Sequence, residues 1–143
     1  MKNTKLFFTF LFLSFSLLGF SQKVKLKKGE VLVDDALWLK YQDCGTFDST
    51  CSLLNKENEE IIFFKFISVK GAEPRTQSNP DGTLRYVEIS FLGEKKKIEL
   101  KKTQKDCIEL LYNSKVVNED GTLNTEKVDR LVEKYGKEFS DRL

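Results

Sequence analysis

A single change of period constrains this chain more than any motif in it. From Lys23 to Leu100 the apolar residues recur at every second position, and from Thr103 to Gly136 at every third or fourth. Period two sends side chains to alternate faces of a strand, whereas a period near 3.6 gathers them along one stripe of a helix. Strands that follow one another without interruption pair most simply with their neighbours, antiparallel. The expected fold is α+β: an antiparallel meander of about six strands, then two short amphipathic helices packed on one sheet face.

The strand half is well punctuated. Val24 and Leu26 alternate with lysines, as on a short edge strand. Glu30 to Val33 and Ala36 to Tyr41 flank Asp34-Asp35 and read as a hairpin, with Leu37, Leu39 and Tyr41 on one face and Ala36, Trp38 and Lys40 on the other. Cys51 to Leu54 is a further short strand. Ile61 to Val69 is apolar on both faces and reads as a central strand covered on both sides. Asn79-Pro80-Asp81-Gly82 is a turn, with proline presetting φ and glycine supplying a positive one. Thr83 to Leu92 and Lys97 to Leu100 complete the sheet, with Ile98 and Leu100 inward.

In the helical half, Thr103 and Asp106 form a capping box with Asp in place of the usual Glu. Cys107, Leu110, Leu111 and Ser114 share a stripe that Ile108 widens. Asn124 or Thr125 caps the second helix, whose apolar face is Val128, Leu131, Val132 and Tyr135. Gly136 is placed to end it as a left-handed cap, Phe139 to add one apolar contact, and the last few residues to fray.

The first 21 residues carry a different message. Lys2 and Lys5 precede an apolar run from Leu6 to Phe20, and Gly19-Phe20-Ser21 places small residues at a cleavage site. This order is that of a secretory signal peptide. The run of about 15 residues is shorter than the roughly 20 needed to span a bilayer. The expectation is a cleaved signal peptide over residues 1–21, a single domain over 22–143, and a periplasmic or secreted address with no stable membrane anchor after cleavage; the competing reading is an uncleaved anchor.

Composition excludes several chemistries. The chain has 24 basic and 22 acidic residues, and Lys2 and Lys5 belong to the leader, so residues 22–143 are balanced. That balance argues against nucleic acid or another polyanion as a partner bound by overall field. There is no histidine. Ser-His-Asp and Cys-His catalysis in their usual forms are therefore absent, as are the imidazole ligands of most catalytic zinc and copper sites. Neither a cofactor nor a metal is indicated. Asn118-x-Asp120-Gly121 matches part of a calcium loop, but Val116 and Lys127 stand where its first and twelfth ligands belong. Asp34-Asp35 and Glu59-Glu60 are turn residues; neighbours on a strand face opposite ways and cannot work as one acid–base pair.

An oxidising compartment favours disulfides. Cys44 and Cys51 flank a turn-like segment and are the preferred bridge. The alternative joins Cys107 to one of them, although Cys107 lies on the apolar face of the first helix, where a thiol behaves as a small buried hydrophobe.

Two surfaces are candidates for binding. Trp38, Tyr41 and Tyr86, with Phe47, are the aromatic residues best able to form one; Trp38 is expected on the sheet side opposite the helices. The rival reading puts such aromatics in a second small core under the Gly71–Ser78 loop. Lys95, Lys96, Lys97, Lys101 and Lys102, with Lys105, could meet phosphate, anionic lipid or an acidic glycan. The alternation of Lys97, Glu99 and Lys101 with Ile98 and Leu100 favours the plainer reading of a solvated strand face, with lysines guarding an edge.

The segment VLVDDALWLKY, the paired cysteines and the ending LNTEKVDRLVEKYG resemble small exported bacterial proteins of unknown function. The resemblance implies an extracytoplasmic α+β domain and transfers no activity or site. The function expected is an exported, non-catalytic binding or interaction module, with another exported protein or a cell-envelope component as partner. The alternative is a small extracytoplasmic enzyme, either a hydrolase or a thiol-dependent protein.

Overall fold

Seven strands and two helices are built from residues 22–143, the part of the chain that the computed structural model describes. The leader expected over residues 1–21 lies outside the described residues. The strands are β1 (Val24–Lys27), β2 (Glu30–Val33), β3 (Ala36–Gln42), β4 (Thr50–Leu54), β5 (Glu60–Val69), β6 (Leu84–Phe91) and β7 (Lys96–Leu100). They lie in one sheet in sequence order, each antiparallel to the next. Helices α1 (Gln104–Asn113) and α2 (Thr125–Tyr135) follow, then a short 3-10 turn over Ser140–Arg142. The expected α+β meander is what the chain forms, with seven strands rather than about six.

Local chemistry explains the tight connections. Asp34 and Asp35 both take positive φ, 50° and 67°, as a primed two-residue hairpin turn requires. The Asp34 carboxylate also accepts the Lys23 N–H at 2.9 Å, closing the β1 side of the same hairpin. Thr103 Oγ1 accepts the Asp106 N–H at 3.2 Å and donates to the Asp106 carboxylate at 2.7 Å, capping α1. Asn124 Oδ1 accepts the Lys127 N–H at 3.1 Å and caps α2.

The inner sheet face carries Val24, Val31, Val33, Leu39, Cys51, Leu53, Ile62, Phe64, Val87, Ile89, Phe91, Ile98 and Leu100, buried against Cys107, Ile108 and Leu111 of α1 and Val128 and Leu131 of α2. Helix α2 rests on β7 and α1 on β1, at opposite edges of the sheet. Helix α1 has 10 residues and is therefore about 15 Å long. It starts after a three-residue link from β7 and runs across the inner face to reach β1.

The outer face departs from expectation in two places. Phe63, Ile67 and Val69 of β5 are only half-buried, and on its inner side Ile62 and Phe64 are buried while Phe66 is half-buried, so the central strand is not covered on both sides along its length. Glu99, expected on a solvated face, is 1 % exposed. The reason lies in the C-terminal segment. Gly136 ends α2 with φ 50° and ψ −143°, a conformation open to glycine rather than the left-handed helical cap expected. Its carbonyl accepts the Glu99 N–H at 2.9 Å, covering the free edge of β7. The chain then turns onto the outer face, where Phe139 joins Leu84 and Tyr86 in a second small core flanked by Ile67 and Ala72. Phe139 and Ser140 are tied to Glu99 there, whereas Asp141, Arg142 and Leu143 are exposed.

Candidate functional site

The hairpin β2–β3 contains a one-residue irregularity that re-aims Trp38. Val31 pairs with Leu39 and Leu32 with Leu37, leaving Trp38 opposite no residue. A bulge of this kind turns its extra side chain out of the strict alternation. Trp38 therefore does not lie on the outer side of the sheet as the alternation implied. It packs half-buried against the main core, its ring 5.1 Å from that of Tyr112 on α1 and at 86° to it. This edge-to-face geometry suits the ring quadrupoles. Leu37, displaced to the other side, is 36 % exposed.

A cleft of about 390 Å³ opens beside this pair. Trp38 and Tyr112 form its aromatic wall, and Lys56, Glu57, Glu119 and Asp120 bring charge to its rim. Both loops that carry the rim are pinned by hydrogen bonds. In the β4–β5 turn, the buried Asn55 accepts the N–H groups of Glu57 (3.0 Å) and Glu59 (2.9 Å) and donates to the Glu59 carboxylate at 2.9 Å. Lys40 reaches over to the Lys56 carbonyl at 3.1 Å and Asn58 Oδ1 at 2.7 Å. In the α1–α2 connection, Val117 bridges to Leu123, and Asn118 donates to the Thr122 carbonyl and hydroxyl and accepts from the Asn124 side-chain amide. Asp120 accepts the Thr122 hydroxyl at 2.6 Å and its N–H at 2.9 Å, which holds its carboxyl below the ordinary range. Asp120 is thus ionised and committed within its own turn. Among the described residues no three acidic or cysteine side chains converge as metal ligands would.

The other sequence candidates are dispersed. Tyr41 is half-buried on the inner face opposite Leu53, and Tyr86, 5 % exposed, lies in the second core against Phe139, with ring centroids 5.4 Å apart. Tyr86, but not Trp38, thus fits the rival reading of a small core beside the Gly71–Ser78 segment, through Ala72. Burial, then the charges of Glu99 and Glu88, push the Tyr86 hydroxyl above its ordinary value. Phe47 is fully exposed at the tip of the disulfide loop.

The lysines are largely answered by carboxylates. Lys96 meets Asp129 at 2.5 Å and Glu94 at 3.3 Å, and these contacts hold its ammonium above the ordinary value. Lys97 meets Glu88 at 2.9 Å, Lys101 pairs with Glu73, and Lys105 meets Glu109 at 3.7 Å. Lys95 and Lys102 make no ion pair among the described residues. The run is not one uniform cationic patch.

Cys44 and Cys51 form the disulfide, with Cα atoms 4.3 Å apart. Cys107 is free and buried on α1, so the alternative bridge does not form. Burial, with the neighbouring Asp106, pushes its thiol up to about 12. A nucleophilic cysteine needs the opposite shift.

Tyr112, Glu57 and Glu119 were not singled out as site residues by sequence, and Asp120 was weighed only within a partial calcium loop. Tyr112 sits one position beyond Leu111, at the border of the apolar stripe; an aromatic residue at such a border is the one local signal that it faces a cleft. No protein-family model matches the chain, and no curated protein and no solved structure matches it.

Proposed function

We propose that this is an exported, non-catalytic binding module that takes its partner through the Trp38–Tyr112 cleft. The observation that carries the reading is the composition of that cleft: an aromatic wall beside the carboxylates of Glu57 and Glu119, with that of Asp120 held in its own turn, against one lysine, Lys56. Aromatic faces attract cations, and carboxylates pair with ammonium and guanidinium groups. The partner is therefore one that presents a cationic group, as a lysine- or arginine-bearing segment of another exported protein does. The hydrogen-bonded loops on both sides favour a preformed surface, which lowers the ordering cost of binding.

Export is supported by the leader pattern of residues 1–21 and by the Cys44–Cys51 bridge, which suits an oxidising compartment. The thiol-dependent alternative is disfavoured by the burial and raised pKa of Cys107.

The chain has one tryptophan, and it lies in the cleft. Its emission therefore reads occupancy directly. Titration with hexalysine is expected to give a saturable change in Trp38 emission that weakens with added salt and is lost in a Glu57→Gln, Glu119→Gln double variant. Hexaglutamate is expected to give none. An emission that both peptides leave unchanged would remove the cationic-partner reading.

A further inference from the structure

At the opposite end of β3 from the Trp38 cleft, the disulfide loop presents an anomaly. Phe47 is 100 % exposed. A free loop would be expected to fold such a ring onto the nearest apolar surface, because burying it is favourable by about 2 kcal/mol. Here two restraints hold it out. The Cys44–Cys51 bridge closes the loop at its base. Inside it, the Asp48 carboxylate accepts the Gly45 N–H at 2.6 Å, and the Asp48 N–H donates to the Gly45 carbonyl at 3.2 Å. The ring is displayed on a rigid support, with Asp43 and Asp48 near it in the chain.

The loop leaves its base beside a complementary feature. The Ser49 carbonyl accepts the Phe66 N–H at 2.8 Å, so the root of the loop is bonded to the strand that lines a notch of about 220 Å³. Phe66 and Val87, with Ile67 and Tyr86, line this notch beside Ser68, Arg85 and Lys102. Neither Arg85 nor Lys102 makes an ion pair among the described residues. One end of the molecule therefore carries an acidic loop with an aromatic knob and, next to it, a basic notch with room for a ring.

We infer that this end is a twofold self-association surface, in which Phe47 of each copy enters the Phe66–Val87 notch of the other while the acidic loop faces Arg85 and Lys102. Knob and notch share one end of the same chain, so a twofold operation satisfies both at once and closes the contact, as an isologous interface requires. Charge complementarity selects a second copy over an anionic membrane, which the loop carboxylates would repel. Two inserted rings bury about 150–250 Å² each, well short of a standard interface, so the dimer is a weak one with a dissociation constant on the order of 0.1 mM. The inference is independent of what occupies the Trp38 cleft.

Sedimentation equilibrium of residues 22–143 with the disulfide intact, from about 10 μM to about 1 mM, tests it. The expected result is a reversible monomer–dimer equilibrium. It is abolished by Phe47→Ser, whose fully exposed position leaves the thermal midpoint unchanged, and weakened at least about tenfold by Lys102→Glu. A monomer throughout this range overturns the inference, as does a dimer indifferent to Phe47→Ser. A monomer that cosediments with phosphatidylglycerol vesicles only when Phe47 is present overturns it in favour of a lipid surface.

Discussion

The carboxylate of Glu99, on β7, accepts the backbone N–H of Phe139 at 2.8 Å across 40 residues of sequence. It accepts the Ser140 N–H at the same distance through the same oxygen, while its second oxygen is buried without a partner. This contact latches the C-terminal segment over the outer sheet face. Lys101 and Arg142 flank the latched Phe139 ring, at 5.3 Å and 5.1 Å from its centroid. Replacing Glu99 with Leu leaves two backbone donors unanswered and is expected to destabilise the fold by about 2 kcal/mol in urea unfolding. An unchanged midpoint would mean that the latch contributes nothing.

The same carboxyl gives a pH dependence of defined sign. Burial pushes it up, but hydrogen bonding by Ser140 and the Phe139 N–H, with the charge of Lys137, outweighs burial and holds it below its ordinary 4.5. A carboxyl lowered on folding stabilises above its unfolded value, and that contribution disappears as pH falls through the folded one. The stability gap between wild type and Glu99→Gln is therefore constant near neutrality and closes below pH 4.5. A gap that widens on acidification would contradict the assignment.

Gly82 closes the Asn79 turn with φ +58°, and a Cβ there would lie 2.3 Å from the carbonyl oxygen of Glu73. That oxygen belongs to backbone and cannot rotate away. Gly82→Ala is expected to cost about 2 kcal/mol or more through displacement of the Gly71–Ser78 segment, and Gly71→Ala, with open space around its Cβ, distinctly less. Thermal unfolding of the two variants separates them.

The thiols should behave unequally. Removing the bridge by Cys44→Ser with Cys51→Ser frees a short loop and is expected to cost about 2.5 kcal/mol on the chain-entropy account. The native protein should show no fast reaction with a thiol reagent at neutral pH and release one equivalent only on unfolding, because the Cys107 thiol is buried and raised to about 12. Rapid modification of the folded protein would reopen the thiol-dependent reading.

How much of this was visible in the sequence depended on range. The hairpin at Asp34-Asp35, the caps at Thr103 and Asn124, and the Cys44–Cys51 closure are set by residues a few positions apart, and their chemistry was readable directly. Trp38 was misplaced because strict alternation has no room for the extra residue between Val31–Leu39 and Leu32–Leu37. Glu99 was misread as solvated because its cover comes from Phe139 and Ser140, which no local pattern connects to it. The Trp38–Tyr112 wall depends on α1 crossing the inner sheet face to β1, a consequence of packing rather than of any periodicity.

Mapping of amide and indole shifts on hexalysine binding, by nuclear magnetic resonance of the uniformly labelled protein, tests the central claim most directly. The account predicts that shifts concentrate on the Trp38 indole, Glu57, Tyr112 and residues 117–121, with Arg85 and Lys102 unmoved. Shifts confined to other surfaces, or none at millimolar peptide, would contradict it.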